Sequence, residues 1–299
     1  MLSKGGKSFD FPPFFNKYII MSNHPYQYCV IGKSLGHSLS PSLHNESFTA
    51  IASYAKFHIK ELDINELSEF IKLLRKGVYK GASITIPYKQ AVLDLVDELT
   101  PQAKNTNAIN TLYLKENILW GDNTDIQGFL YPLKKRNIPN RALILGAGGA
   151  SRAIIIALKQ LRHLGMTKIF LSARDINKTK NICSEFNIIP IDWEKRTSIK
   201  TSWIINTTPL GMRGVLCKQS PYPYNALLRN FQKNCLVYDI VYNPIETQFL
   251  QDAKRAGWHI QNGLDMFIAQ ALAQQEIWFN KSADFKTIKN FIKQKLFAL

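Results

Sequence analysis

A lysine follows a short apolar stretch that is predicted to form a buried strand. The stretch GASITIPYK runs from Gly81 to Lys89, and its Ser, Ile and Thr residues suit a pleated strand, whereas Pro87 cannot donate a hydrogen bond within a central ladder. Because the chain contains 38 lysine and arginine residues, a solvated surface charge is the ordinary interpretation of any one lysine. A lysine held at the end of a rigid strand could instead transfer a proton.

Small polar side chains recur at other predicted strand ends and helix starts. The strings GHSLSPSLHN, SITIPYK, NAINT and GDNTD contribute Ser38, Ser40, Thr85, Asn110, Asn123 and Asp125. Neutral hydroxyls, amides and one cation suit a hydroxylated carboxylic acid, because hydroxyls can hold a carboxylate while amides and charged groups hold ring hydroxyls. Each string also has an ordinary interpretation as a helix cap or a turn. His37 and His44 are interpreted as structural residues, and no metal site is predicted.

A glycine-rich turn lies near the middle of the chain, in the string LILGAGGASR. It follows a predicted strand and opens a predicted helix, a setting in which backbone N–H groups approach a pyrophosphate at the positive end of the helix. The third position of the G-x-G-x-x-G pattern is Ser151, whose small side chain still permits close helix–strand packing. An ordinary tight turn is the alternative, but the context predicts dinucleotide binding.

The next predicted strand ends in SARD, at the point where a dinucleotide fold distinguishes its cofactors. An acidic residue there binds the ribose 2′-hydroxyl of NAD, whereas an arginine suits the 2′-phosphate of NADP. Arg174 could contact adenine and that phosphate, and Lys178 lies one helical turn further on. NADP is therefore the predicted cofactor. NAD stays an alternative, because the Asp175 carboxylate could bind the ribose hydroxyls instead.

These residues belong to two predicted α/β regions. The first alternates strands and helices from Tyr26 to about Leu99, with KQAVLDLVDEL as a helix, and this pattern is typical of a parallel sheet covered by helices. AINTLYLKENILWGDNTD follows as two short strands around a turn. The second region begins at RALILGAGGASR and is of the Rossmann type, and the chain is predicted to be helical from Leu264 onward. The predicted fold class is α/β with two lobes and a small-molecule site in the cleft between them.

The composition argues against several classes of protein. With 45% hydrophobic and 20% charged residues in 299, the chain is predicted to be soluble and globular, and no apolar run approaches the ~18 residues that cross a bilayer. The net charge of +16 is spread along the chain without a nucleic-acid-binding motif, so neither a nucleic-acid nor a membrane partner is predicted. Residues 1–24 are interpreted as a poorly ordered leader or a misassigned start rather than a signal peptide.

The cysteines indicate the compartment. They are Cys29, Cys183, Cys217 and Cys235. They form no CxxC pair and no cluster with histidine, which argues against zinc and disulfides and predicts a reducing, cytoplasmic environment.

Eight strings together resemble the shikimate dehydrogenase family. In chain order they are GHSLSPSLHN, SITIPYK, NAINT, GDNTDIQGF, GAGGASR, NTTPLGM, YDIVYNP and NGLDMFIAQA. They span nearly the whole chain from about Tyr26, at spacings comparable to those of the family, and eight strings in order are highly specific. The resemblance implies a discontinuous substrate-binding lobe, an NADP-binding Rossmann lobe and reversible reduction of 3-dehydroshikimate to shikimate, on the route to chorismate and the aromatic amino acids.

The same resemblance implies domain bounds and catalytic roles. The substrate-binding domain would comprise residues 25–124 and 263–299, and the NADP-binding domain residues 125–262. Lys89 matches the catalytic lysine of the family and Asp125 its aspartate partner. Ser38 and Ser40 match the serines that hold the substrate carboxylate.

Further positions match substrate and cofactor contacts of the family. The residues that would line the substrate, besides those just named, are Thr85, Asn110, Tyr242 and Gln270. The residues that would contact the cofactor are Gly146, Ala147, Gly148, Gly149, Ala150, Ser151, Arg152, Arg174, Lys178, Asn206, Thr207, Thr208, Gly263 and Met266. Two features depart from the common family pattern, because Ser83 replaces an Asn and SARD replaces Asn-Arg-Thr.

The predicted mechanism is proton transfer coupled to hydride transfer. Lys89, helped by Asp125, would protonate the carbonyl oxygen as NADPH delivers hydride, and would take the proton back in the reverse direction. The lobes are expected to close on substrate, with hinges near Asp125 and Asn262. The implied partner is the small-molecule substrate, and the chain would be a monomer or a homodimer.

Two other functions stay open at this point. One is a quinate/shikimate dehydrogenase that uses NAD, which Asp175 would favour. The other is a non-catalytic sensor that keeps the dinucleotide lobe, and this function would need a broken Lys/Asp pair, whereas Lys89 and Asp125 are both present.

Overall fold

Two six-stranded sheets organise the described part of the chain. The computed structural model describes residues 24–230 and 234–298. The predicted leader therefore falls almost wholly outside the described residues. Within those residues, no helix is both long enough and apolar enough to cross a membrane.

The first sheet has the strand order β2-β1-β3-β5-β6-β4. Its strands are β1 (Tyr26–Gly32), β2 (Ala55–Glu61), β3 (Tyr79–Ile84), β4 (Glu98–Leu99), β5 (Thr111–Lys115) and β6 (Ile118–Asp122). β1 pairs in parallel with β2 and β3, but β5 is antiparallel to both β3 and β6. The parallel pairing predicted for the first strands is confirmed, and the two short strands predicted around a turn form the β5–β6 hairpin, which extends the sheet with antiparallel pairs. Glu116 and Asn117, with φ of 53° and 63°, provide the tight turn that the hairpin requires.

The second sheet has the order β12-β11-β10-β7-β8-β9 and is parallel throughout its described pairs. Its strands are β7 (Arg141–Leu145), β8 (Lys168–Ala173), β9 (Ile189–Asp192), β10 (Trp203–Asn206), β11 (Leu236–Asp239) and β12 (His259–Gln261). This is the doubly wound order of dinucleotide-binding folds, in which the sheet reverses its direction of growth between the two central strands. Ligands bind at the carboxyl ends of those strands, here β7 and β10.

Helices cover these sheets. They are α1 (Ser40–Ala50), α2 (Leu67–Arg75), α3 (Pro101–Thr106), α4 (Asp125–Leu130), α5 (Gly149–Gln160), α6 (Ile176–Phe186), α7 (Tyr224–Asn230), α8 (Gln248–Arg255), α9 (Leu264–Phe279) and α10 (Phe285–Phe297). Alternate residues of β7 enter opposite cores: Ile144 packs with residues of α5 and α6, whereas Leu145 packs with residues of α7 and α8. Burial on both faces explains why this strand is apolar from Ala142 to Leu145.

The predicted helix over KQAVLDLVDEL is wrong. The segment forms turns, a short 3₁₀ helix at Leu93–Leu95 and strand β4. Only the end of the segment bonds to β6: the Asp97 N–H donates to the Leu119 carbonyl at 2.9 Å, and the Asp97 carboxylate accepts from the Leu119 N–H at 2.8 Å. The sequence also did not predict β9, α3 and α7, which are short elements.

Helix α9 returns from the second sheet to the first. The Gln274 amide donates to the Asn110 carbonyl at 3.0 Å and the Trp278 indole to the Leu112 carbonyl at 3.2 Å. Gly81 on β3 leaves room for this contact, because a side chain there would overlap the Trp278 ring. The chain therefore crosses between the sheets twice, at the start of α4 and at the start of α9.

Candidate active site

Lys89 and Asp125 form a buried ion pair. Lys89 lies five residues beyond the end of β3, and Asp125 is the first residue of α4. The Lys89 ammonium donates to Oδ2 of Asp125, and the two side chains are only 12% and 7% exposed. The structure thus brings together two residues that are 36 positions apart and removes Lys89 from bulk solvent.

Neighbouring polar groups hold this pair in one arrangement. Asn110 donates from Nδ2 to Oδ1 of Asp125 at 2.9 Å, and the Asn123 side chain accepts from the Asp125 N–H at 3.1 Å. The carbonyl of Lys89 accepts from the Ile109 N–H at 2.7 Å. Both Asp125 oxygens and the Lys89 backbone are thereby oriented, which is what a proton-transferring pair requires.

Of two other predicted substrate residues, Gln270 bonds to Asn110 of this network and Thr85 lies in the turn before Lys89. Gln270 on α9 accepts from Nδ2 of Asn110 at 3.4 Å and donates to the Phe267 carbonyl at 2.8 Å. Thr85 directly follows β3, and its carbonyl accepts from the Tyr88 N–H at 2.9 Å in the turn that leads to Lys89. Ser83, which departs from the family pattern, is buried and donates to Gln274 at 2.7 Å. It therefore ties β3 to α9.

The predicted carboxylate site is anchored to the same helix. Ser38 accepts from the Ser40 N–H at 3.3 Å, and the Tyr242 hydroxyl accepts from the Leu39 N–H at 3.5 Å. The Tyr242 ring stacks on Phe267 of α9 with ring centroids 4.0 Å apart. Burial raises the pKa of Tyr242, so its hydroxyl is neutral at physiological pH. Both serines are half-buried and accessible to a ligand.

A cavity of about 430 Å³ connects the lysine to the glycine-rich turn. Its wall is made by residues from both sheets, namely Ile86, Pro87, Lys89, Gln90, Gly146, Ala147, Gly148, Gly149, Ala150, Ala173, Arg174, Asp175, Lys178, Trp193, Thr207, Thr208, Pro209 and Leu210. The loops after β7 and β10 contribute to this wall, as the reversal of strand order requires. The predicted catalytic lysine and the predicted nucleotide loop therefore share one cavity.

The glycine-rich turn fits a dinucleotide. Gly146 has φ of 111°, a left-handed conformation that strongly favours glycine. A Cβ at Gly148 would meet no atom within 4 Å, so its backbone borders open space where a phosphate could approach. Ser151 donates to the Gly148 carbonyl at 2.6 Å and is fully buried. A serine at the third position thus stabilises the turn, and the start of α5 can receive a phosphate.

The cations predicted for NADP lie at the cavity wall. Arg174 and Lys178 are exposed, and no acidic side chain in the described ranges pairs with either of them. Asp175 accepts from the Lys178 N–H at 2.9 Å and caps α6. The Asp175 carboxylate, which was the reason for considering NAD, therefore serves as a helix cap. The Arg174 and Lys178 cations suit a 2′-phosphate.

Asn206 supports the cavity rather than lining it. Its side chain is buried, accepts from the Thr208 N–H at 2.9 Å and donates to the Leu210 carbonyl at 3.1 Å. Asn206 also donates to Asp239 at 2.9 Å, and burial raises the pKa of Asp239 to about 7. Sequence reasoning did not single out Asp239, although an acidic residue at the end of an apolar strand was a usable signal.

Four other predicted cofactor residues lie outside the wall of this cavity. Gly263 packs against the Ile240 carbonyl, and Met266 is 6% exposed within the core. Ser151 is behind the turn, as described above. The guanidinium of Arg152 forms an ion pair with Glu185 at 2.6 Å. A direct phosphate contact by the Arg152 side chain finds no support in this arrangement, because Glu185 already binds it.

Trp193 was missed altogether. It follows β9, which the sequence did not predict, and its ring packs 4.0 Å from the Arg196 guanidinium at the cavity wall.

His44, interpreted as structural, is 1% exposed and stacks on Phe57 with centroids 4.1 Å apart. Burial lowers the pKa of His44 to about 3. In the described part of the chain, no group of three or more His, Cys, Asp or Glu side chains could hold a metal ion.

Comparisons with known proteins identify the family. Residues 30–112 match the family described as shikimate dehydrogenase substrate binding domain, and residues 263–290 match the shikimate 5'-dehydrogenase C-terminal domain. The chain is 38% identical over 270 residues to the shikimate dehydrogenase (NADP(+)) of Oleidesulfovibrio alaskensis, covering 90% of this chain and 95% of the relative. It is 39% identical to that of Pelobacter propionicus, covering 86% and 92%.

A solved structure has the same fold. The shikimate 5-dehydrogenase of Thermus thermophilus in complex with NADP(H) and shikimate is 28% identical, with a TM-score of 0.79 over 90% of this chain and 99% of that one. Sequence identity over most of the chain, the family matches and the shared fold agree with the eight strings and the Lys89–Asp125 pair. The chain belongs to the shikimate dehydrogenase family.

Proposed function

We propose that the chain catalyses the reversible, NADPH-dependent reduction of 3-dehydroshikimate to shikimate, on the route to chorismate and the aromatic amino acids. The observation that carries this proposal is that Lys89, paired with Asp125, lines the cavity that also contains the glycine-rich turn. The names of the relatives support it, since both relatives described above are called shikimate dehydrogenase (NADP(+)).

Lys89 is the proposed acid and base. NADP supplies hydride when reduced and accepts it when oxidised. Negative charge develops on the carbonyl oxygen as the ketone is reduced, and the Lys89 ammonium can donate a proton to that oxygen. Asp125 accepts a bond from Lys89, and Asn110 fixes the other carboxylate oxygen. In the reverse direction Lys89 takes the proton from the alcohol.

The proposed substrate residues form two groups, one for the carboxylate of the substrate and one for its ring hydroxyls. Ser38 and Ser40 present hydroxyls for the carboxylate, and Tyr242 holds the backbone of the segment between them. Asn110 and Gln270 belong to the hydrogen-bond network of the ion pair, and Thr85 lies in the turn before Lys89. Their amide and hydroxyl groups suit ring hydroxyls. The contacts of Gln270 with Asn110 and Phe267 support its placement in this group.

The cofactor residues follow the cavity wall. Gly146 to Ala150 would hold the pyrophosphate, and Arg174 and Lys178 the 2′-phosphate. Thr208, oriented by Asn206, and Thr207, which donates to the Leu145 carbonyl, would lie along the remainder of the dinucleotide. Ser151, Gly263 and Met266 would act on the cofactor through packing behind the wall.

We also propose the wider organisation of the protein. The substrate-binding domain comprises residues 25–124 and 263–299 and the NADP-binding domain residues 125–262, with hinges near Asp125 and Asn262. The return of α9 to the first sheet supports these bounds. No disulfide joins the four cysteines, all of which lie in the described ranges, and this supports a reducing, cytoplasmic environment. The enzyme would act as a monomer or a homodimer.

A spectrophotometric assay tests the function. Purified protein is given shikimate or quinate with NADP or NAD, and the formation of reduced nicotinamide is followed by absorbance. We expect turnover with shikimate and NADP to exceed the other three combinations. Turnover mainly with quinate and NAD would replace the proposal with the quinate alternative, and cofactor binding without turnover on either substrate would support the sensor.

A further inference from the structure

Arg152 is a buried cation at the junction of three helices. It lies in the first turn of α5, and its side chain is 7% exposed. Its two terminal nitrogens donate to the two carboxylate oxygens of Glu185 at 2.6 and 2.7 Å. This is the bidentate geometry that makes an Arg–carboxylate pair strong and directional. The guanidinium also lies 5.3 Å from the Phe186 ring.

The pair reaches the other sheet through the end of α3. Arg152 donates to the Thr106 carbonyl at 3.4 Å, and Asn107 donates to the Glu185 carboxylate at 3.3 Å. The hydrogen bonds from Arg152 lower the pKa of Glu185, so the carboxylate stays charged at neutral pH. One ion pair therefore joins α5 and α6 of the second sheet to residues 106–107 beside the first sheet.

Residues 106–110 lead from this junction to the catalytic pair. The Thr106 hydroxyl accepts from Asn123 at 3.2 Å, and Asn123 in turn accepts from the N–H of Asp125. Ile109 donates to the Lys89 carbonyl at 2.7 Å, and Asn110 donates to the Asp125 carboxylate at 2.9 Å. These residues orient both members of the catalytic pair.

Helix α5 also begins at the cofactor cavity. Gly149 and Ala150, its first two residues, lie in the cavity wall. A Cβ on Gly149 would lie 3.1 Å from Cβ of Lys89, so the first turn of α5 packs directly beside the lysine. A shift of α5 relative to residues 106–110 would therefore change the distance between the cofactor loop and Lys89.

We propose that Arg152 and Glu185 are positioning residues that hold helices α5 and α6 against residues 106–110. In this way they would keep Lys89 and Asp125 at the correct distance from the bound cofactor. This inference rests on the proposed function. It gives Arg152 a role in alignment instead of a contact with a cofactor phosphate. Small misplacement of reacting groups is costly, because a shift of about 1 Å can lower a rate about 100-fold.

The test uses variants of both partners in the full-length protein. Arg152→Met removes the guanidinium but keeps an apolar stem beside Phe186, and Glu185 is 36% exposed and can be solvated. Glu185→Gln keeps the shape and removes the charge. Arg75→Gln is the matched control, because it breaks an Arg–Asp pair of 2.6 Å that lies on the surface. NADP dissociation constants, single-turnover rates at saturating shikimate and NADP, and melting temperatures are measured for each.

We expect both variants to lower the single-turnover rate at least about tenfold while the NADP dissociation constant changes less than about twofold. Arg75→Gln should retain the wild-type rate. A phosphate contact would give the opposite pattern: Arg152→Met would weaken NADP binding, and Glu185→Gln would release the guanidinium and tighten it. That result would overturn the proposal.

Two further results are informative. If both variants melt earlier but turn over at the wild-type rate, the pair is only structural and the proposal is wrong. If wild-type protein does not oxidise shikimate with NADP at all, the proposed function has failed, and this is seen before any variant is compared. NADP binding and melting do not depend on turnover, so they show whether each variant is folded and still binds its cofactor.

Discussion

At the scale of single residues, the chemistry depends on what surrounds one lysine. The Lys89 side chain pairs with a carboxylate and also lines the cavity that contains the glycine-rich turn. A buried cation without a partner would be strongly unfavourable, and Asp125 supplies the compensating charge. Asn110 then fixes that charge in place. The reactivity proposed for Lys89 therefore depends on this small network.

We propose that two side chains, those of Arg174 and Lys178, also decide the choice of cofactor. Replacing Arg174 and Lys178 together by alanine should weaken NADP binding at least about tenfold and leave NAD binding nearly unchanged, because only NADP carries the 2′-phosphate. Titrations of both cofactors, followed by fluorescence, measure this. Lys180→Ala, an exposed lysine on the same helix, is the control. Equal loss of NADP and NAD affinity would show that the two cations do not bind the 2′-phosphate.

The sequence alone indicated the residues of the candidate ion pair and the position of the glycine-rich turn. The order of strings pointed to Lys89 and Asp125, and the glycine-rich turn pointed to the cofactor loop. The sequence could not show that Glu185 binds Arg152, since partners of a buried arginine depend on how two helices pack. Trp193 was missed for a different reason, because the strand β9 that precedes it is short and mostly exposed.

At the scale of elements, the start of α9 is held by close backbone packing. Gly263 donates to the Val241 carbonyl at 3.1 Å, and a Cβ at this position would overlap the Ile240 carbonyl. Its φ of −76° is open to any residue, so the requirement for glycine is steric. Helix α9 carries Gln270 and supports Tyr242, which makes this contact relevant to the substrate site.

Gly263→Ala should therefore lower the free energy of unfolding by about 1–3 kcal/mol, the usual cost of overpacking. Chemical denaturation of the variant and the wild type measures the difference. Gly36→Ala provides a comparison, because a Cβ there meets no atom within 4 Å. Equal stability of all three proteins would mean that the α9 backbone moves freely to accommodate the methyl group.

Long elements with a regular apolar pattern were predictable, and edge elements were not. Strands such as β1 and β7 are apolar because both faces are buried, and the sequence located them. KQAVLDLVDEL was misread because its apolar residues also have helical spacing. Asp97 decides the outcome by pairing with the backbone of β6 and with Arg75, and such long-range bonds are invisible in a local pattern.

At the scale of the whole molecule, the buried His44 makes stability depend on pH. Its pKa is lowered to about 3 by burial, while an unfolded histidine has a pKa of about 6.5. The unfolded chain thus binds a proton at a higher pH than the folded chain does. The stabilising contribution is complete above about pH 6.5 and is lost as the pH falls toward 3, by up to ~1.4 kcal/mol per pH unit.

A variant isolates this contribution from that of other groups. His44→Leu cannot titrate, so the difference in free energy of unfolding between wild type and variant should change in favour of the variant as the pH falls from about 7 to about 5. Chemical denaturation at several pH values measures it. A difference that stays constant with pH would show that His44 binds a proton equally well in the folded protein.

The arrangement of the two sheets makes Lys89 a shared residue. It follows a strand of the first sheet, its partner begins the helix that leads to the second, and its side chain lines the cavity with the glycine-rich turn. A substrate held by the first sheet and a cofactor held by the second would therefore meet at this lysine. The proposed reaction requires this meeting point.

The most direct measurement is the turnover of Lys89→Ala with shikimate and NADP, together with its NADP dissociation constant. Lys80→Ala, an exposed lysine on β3, is the matched control and should behave as wild type. We expect Lys89→Ala to lose at least about 100-fold in turnover, as for removal of a general acid, while it still binds NADP. Near-wild-type turnover of Lys89→Ala would contradict the assignment of Lys89 as the acid–base group.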